Sequence, residues 1–151
     1  MSALLYIHRM AYEEKRAWIY AVASVVAYAL YAAIVLSRAG DIPLTHVRYV
    51  KTLIWTVGLS IAVQIVLSIA VSVASPRDRD KKDQRDREIG RFGEHIGQSL
   101  VVVGGVAALV LAMVEADSFW IANVLYLCFT LSAVLSSVAK IFAYRRGFHP
   151  W

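Results

Sequence analysis

Few residues in this chain have side chains able to do covalent or acid–base chemistry, and their spacing excludes most of it. The four histidines are His8, His46, His95 and His149. A membrane haem is held by axial ligands such as histidine facing one another inside a bundle, and no two of these fall within the long apolar runs. Zinc needs cysteine and histidine ligands at short, regular spacing, which is absent. The single cysteine, Cys128, stands in an apolar stretch as a small hydrophobe and forms no intrachain disulfide. Glu94 beside His95 offers a pair for proton transfer, but the same two residues serve equally as the polar end of a helix. No phosphate-binding glycine loop, dinucleotide fingerprint or metalloprotease helix occurs. The expectation is a non-enzymatic chain with no cofactor and no metal site.

What remains is polar recognition, and three patterns carry it. Residues 76–95, PRDRDKKDQRDREIGRFGEH, hold seven bases and six acids. Asp78 with Lys82 and Asp83 with Arg87 stand four apart with the acid first, the better order on a helix. Ile89, Phe92 and Ile96 recur at helical spacing. This predicts a charged helix that runs into the next apolar stretch or lies on a membrane surface. Asp83, Arg85, Asp86, Arg87, Glu88 and Ile89 are its candidate partner-docking residues. Bases near an anionic bilayer contribute about 1 kcal/mol each, but interleaved acids cancel much of that, so a protein partner fits better than a lipid.

The second pattern is a polar stripe, Ser60, Gln64, Ser68 and Ser72, repeating every four residues. Such side chains either hydrogen-bond across helices, for about 0.6 kcal/mol each, or line a solute path. Charges deep in a span mark ion pathways; none is present, which favours packing. The third is a glycine face, Gly90, Gly93, Gly97 and Gly104, on one side of a helix, with Gly93-x-x-x-Gly97 as a close-approach pair.

The elements that position these patterns are read from composition. Of 151 residues, 59% are hydrophobic and 18% charged; a soluble domain is closer to half and a quarter. Mean hydropathy is +0.57. Four runs, at about 17–36, 53–75, 96–114 and 119–139, reach the roughly 20 apolar residues that cross a bilayer. They are too continuously apolar for alternating barrel strands, and they lack the polar outer face of a soluble bundle. The first is too long, and too far from the start, for a cleaved signal peptide. The predicted fold is all-α: one integral membrane domain over residues 1–151, a bundle of four transmembrane helices.

The bases sort by side. Thirteen fall before the first run, between the second and third, and after the fourth; Arg38, Arg48 and Lys51 alone fall on the other side. The positive-inside rule then puts both termini and residues 76–95 in the cytoplasm, with insertion into a bacterial plasma membrane. Trp18, Trp55, Trp120 and Tyr144 stand near the ends of runs, where aromatic rings favour the interface. Topology accounts for the net charge of +5 without nucleic acid.

In the first outer connection, Asp41 is a plausible cap with Pro43 in the first turn. The second helix is expected to begin near Pro43, giving a rod of roughly 50 Å to Ser75. The other connection, Glu115 to Ser118, demands a tight hairpin with Asp117 or Ser118 as the cap. Arg38, Arg48 and Lys51 are expected to make weak surface ion pairs with Glu115 or Asp117.

The box Asp83-Gln84-Arg85-Asp86-Arg87-Glu88-Ile89 resembles the D-E-R-D-x-x-I box of a family of small predicted membrane proteins of bacteria and archaea, with Gln84 in place of the usual glutamate. The resemblance extends to E-A-D-S-F-W-I-A-N at Glu115 to Asn123 and A-K-I-F-A-Y-R-R-G-F at Ala139 to Phe148, and the cast of the chain is actinobacterial. It implies the four-span layout with the box before the third span. Through the helix-turn-helix regulators that accompany such proteins, it also implies a regulatory, stress-sensing or immunity role. Two function classes follow. One is a non-enzymatic membrane protein acting through helix association and the charged loop, with a homo-oligomer or a second subunit as partner. The other is an oligomeric transporter or channel for a small solute or ion, with the stripe lining its path.

Overall fold

The computed structural model describes residues 12–74 and 84–146. Among these, four long helices account for nearly everything. Helix α1, Tyr12–Ala39, has no Gly or Pro to interrupt it, carries Glu13 and Glu14 in its first turn, and has Arg38 in its last. Those charges complement the helix dipole. It stops at Gly40, whose φ of +43° suits a residue without a Cβ.

Helix α2 does not begin at Pro43. Pro43 instead heads a short 3₁₀ turn, Leu44–His46, and Val47 after it is extended. The reason is packing. Val47 is buried, in one cluster with Tyr31, Val35, Ala39 and Phe119, which the extended backbone allows. Helix α2 therefore runs over Val50–Ala74, about 37 Å at 1.5 Å per residue, rather than the longer rod expected.

Helix α3, Gln84–Met113, starts well before the expected boundary near 96. Residues 84–95 of the charged connection are helical and run directly into the apolar part, the first of the two arrangements expected for them. The Gln84 amide donates to the Glu88 carboxylate one turn on, at 3.0 Å. Asp78 to Asp83 lie outside the described residues.

The α3 end is closed by two bonds, from Ala116 N–H to Leu111 O at 2.9 Å and from Glu115 N–H to Ala112 O at 3.1 Å. This is a Schellman closure, and its left-handed position is held by Glu115 at φ +57°, where glycine is usual. Helix α4, Ser118–Arg146, follows at once. The Asp117 carbonyl takes the Trp120 N–H at 3.0 Å, so Asp117 is the cap residue.

The main contacts run in the spatial order α2, α1, α4, α3. The helices thus form an open row rather than a ring in which each end helix meets the other. Helix α3 lies closely along α4, whereas α2, at the far edge, buries only Thr52 and Thr56. The outward faces are apolar, with Trp55, Ile54, Val66, Val102 and Leu109 all exposed. All four helices are long and apolar enough to cross a membrane. Such a surface is suited to a solvent of lipid tails.

Candidate functional site

Charge is concentrated at the end of the row where α1 and α3 begin and α4 finishes. Glu14, only 7% exposed, accepts a bond of 3.1 Å from Arg145 Nε. The Arg145 guanidinium also sits 5.7 Å from the Trp18 ring centre, a cation–π contact. Tyr144 donates its hydroxyl to Asp86 Oδ1 at 2.7 Å, tying α4 to α3. Arg16 donates to Tyr20 one turn along α1 at 3.2 Å. Lys140 reaches Glu94 at 3.9 Å, a loose pair. Arg16, Tyr20, Asp86, Glu94, Lys140 and Tyr144 line a cavity of about 320 Å³ between α1, α3 and α4.

The first turns of α3 have two unlike sides. On the inner side Ile89 is fully buried, Asp86 holds Tyr144, and Gly93 is buried against α4. On the outer side Arg85, Arg87 and Arg91 are exposed, with Glu88 between them half-buried. The candidate docking residues are thus divided: Asp86 and Ile89 belong to the interior, Arg85 and Arg87 to the surface. Asp83 lies outside the described residues.

The glycine face is also divided. A Cβ on Gly93 would stand 2.9 Å from the Ser136 carbonyl, and one on Gly97 would stand 3.0 Å from the Ser132 carbonyl. One on Gly104 would meet the Cys128 side chain. Gly93 and Gly97 let α3 lie against the α4 backbone of the same chain, Gly104 makes room for the Cys128 side chain, and the Ser132 hydroxyl donates to the Gly97 carbonyl at 2.7 Å. Gly90 is different: nothing lies within 4 Å of its Cβ position, and it opens on the cavity.

In the stripe, Ser60, Gln64, Ser68 and Ser72 are half-buried while most of α2 around them is exposed. Gln64 donates to Ser60 on its own helix at 2.9 Å. Ser60 adjoins Ser24 and Ala27, so the stripe turns toward α1.

Sequence reasoning did not find the polar core at the opposite end. There the Tyr31 hydroxyl donates to Asn123 Oδ1 at 2.7 Å, and Asn123 Nδ2 donates to the Phe119 carbonyl at 2.7 Å. Tyr126 donates to Thr56 at 3.3 Å, and its ring meets the Tyr31 ring edge-on, centres 5.0 Å apart. The available signal was the i, i+3 spacing of Tyr28 with Tyr31 and of Asn123 with Tyr126. The expected surface pairs of Arg38 with Glu115 or Asp117 give way to another arrangement. Arg38 donates to the Arg48 carbonyl at 3.2 Å and the Thr52 hydroxyl at 2.9 Å. It reaches only the start of α2, and so closes its own loop instead of crossing to the other hairpin.

Glu14→Gln tests how much the Arg145 pair contributes. Removing one partner of a fully buried pair costs 3–5 kcal/mol. Arg145 is 42% exposed, and solvent screening reduces the expected loss to about 1 kcal/mol. Thermal unfolding in detergent measures it, and a loss that shrinks in high salt is the expected signature.

Comparison of the chain with protein families, with curated proteins and with solved structures finds no match.

Proposed function

We propose that this is a non-enzymatic membrane protein that presents a rigid, charged helix end to a cytosolic protein. In this reading the end bearing Arg16, Arg85 and Lys140 faces the cytoplasm, as the distribution of bases suggests, and both termini lie there. The membrane is the bacterial plasma membrane. A regulatory, stress-sensing or immunity component works in this way, and the resemblance of the box at 83–89 agrees with it.

The observation that carries the proposal is the two-sided start of α3. Ile89 is buried and Asp86 is bound to Tyr144, so the backbone there is anchored to α4. Arg85, Arg87 and Arg91 are then held outward on a helix that cannot easily reorient. A solvated linker would need no such anchoring. A partner would read Arg87 and Arg91, one turn apart with Glu88 beside them, and Arg85 on the other flank, which suits planar, bidentate contact with an acidic protein surface that straddles the helix.

Reversing Arg85 and Arg87 to Glu is the test. Like charges brought together at an interface cost several kcal/mol, so co-purification of the partner is expected to fall more than about tenfold. Membrane insertion and thermal stability stay unchanged, because neither side chain is buried. Equal recovery of partner from the wild type and the double variant would exclude this surface.

A further inference from the structure

One member of the polar stripe on α2 has unfinished hydrogen bonding. Gln64 is half-buried, and its single hydrogen bond among the described residues runs to Ser60 on its own helix, at 2.9 Å. A carboxamide carries two N–H donors and an oxygen with two lone pairs. One N–H and the oxygen are therefore left over. The oxygen is not sealed inside the protein, so it lies open at the surface of the row.

Its depth makes this costly. Gln64 is the middle residue of the apolar run at 53–75, eleven positions from either end. At that level a bilayer offers no water to complete the bonds. Helix α1 does not supply the missing groups. Its wall toward α2 is small, with Ala23, Ser24 and Ala27, and the seam stays open on both sides. Crevices of about 120 Å³ and 110 Å³ flank Ser60, one turn from Gln64. Helix α4 bonds to α2 two turns further out, at Thr56.

The place of α2 in the fold leaves this seam accessible. Gly93, Gly97 and Gly104 on α3 are already occupied by α4 of the same chain, so they are spent on the interior. Helix α2 forms the edge of the row, and none of its residues after Thr56 is buried.

We infer that two copies of this chain associate in the membrane along the α1–α2 seam, with their Gln64 side chains exchanging N–H···O hydrogen bonds. The carboxamide is its own complement, since a partly positive N–H stands beside a partly negative oxygen. A copy turned about a twofold axis meets donor with acceptor and acceptor with donor. Copies inserted the same way also bring the residue to the same depth. A lipid tail offers neither donor nor acceptor. The association rests on the helices spanning a membrane and is independent of any cytosolic partner.

The experiment is single-molecule photobleaching of the labelled full chain in liposomes, over a series of dilutions in lipid. The wild type is expected to bleach in two steps at high density and in one step on dilution. Gln64→Leu is expected to weaken pairing about tenfold, the equivalent of two modest interhelical hydrogen bonds. Its thermal transition in detergent is kept, because the bond it removes lies within α2. Gln64→Asn retains a carboxamide near the same depth and is expected to hold most of the association. Val66→Ala, 200° further round the same helix and exposed, is expected to leave pairing unchanged. A wild type that is monomeric at every density, or a Gln64→Leu variant that pairs as tightly, would overturn the inference. A loss at Val66→Ala equal to that at Gln64→Leu would overturn the seam as the interface. Native mass spectrometry from the protein's own membrane tests the occupant, and a different polypeptide in place of a second copy would exclude the pairing.

Discussion

Gly97→Ile is expected to uncouple α3 from α4 and to lower stability by about 3 kcal/mol, the upper part of the range for overpacking. The atoms in the way leave little freedom. A Cβ at 97 lies 3.0 Å from the Ser132 carbonyl and 3.0 Å from Ser136 Cβ, and a carbonyl in the middle of a helix cannot swing aside as a long side chain can. The substitution also pushes apart the Ser132 to Gly97 hydrogen bond of 2.7 Å. Gly105→Ile supplies the control on the same helix, where nothing lies within 4 Å. Isoleucine is the better helix former there by a few tenths of a kcal/mol. Thermal unfolding of both variants in one detergent reads the difference. Equal losses would mean that the close approach of α3 and α4 contributes little.

Tyr31→Ala should cost about 3–5 kcal/mol, as for other large aromatic side chains removed from a packed core. Tyr31 is 1% exposed, and its ring contacts those of Tyr28 and Tyr126. Tyr31→Phe separates the ring from the hydroxyl. It leaves Asn123 Oδ1 without its donor but keeps the packing, and the expected cost is about 1 kcal/mol. Adding Asn123→Leu to Tyr31→Phe should recover part of that cost, since loss of both partners is cheaper than loss of one. A Phe variant as unstable as the Ala variant would place the energy in the hydrogen bond rather than in the ring.

The parts of this fold that were legible in the sequence share a physical cause. The four apolar runs stand out because lipid demands a long, unbroken apolar segment whatever its neighbours are. The close-packing role of Gly93 and Gly97 is visible because few residues other than glycine let two helix backbones touch. Other features depend on which helix meets which, and a single sequence does not state this. Tyr31 and Asn123 are 92 positions apart, and nothing in either helix names the other. Val47 shows the same limit at short range. Its spacing from Leu44, Val50 and Ile54 fits a helix, but the cavity it fills under Phe119 and Tyr31 decides otherwise. The helix at 84–95 is legible because Ile89, Phe92 and Ile96 carry the helical period through the charge and into the apolar run. Gly90 could not be told from its three packed companions until α4 was in place. Glu115 in a left-handed position escapes detection because glycine is the residue looked for there.

The pairing of α1 with α4 also bears on how the chain is made. Glu14 waits for Arg145, 131 positions later, and Tyr31 waits for Asn123. During synthesis, at roughly 5–20 residues per second, α1 and α2 leave the ribosome long before their polar groups have permanent partners. Only the last helix completes them. A chain interrupted before α4 would lack the Arg145 and Asn123 side chains that Glu14 and Tyr31 bind. The final helix thus completes polar bonds whose other halves were laid down near the start of the chain.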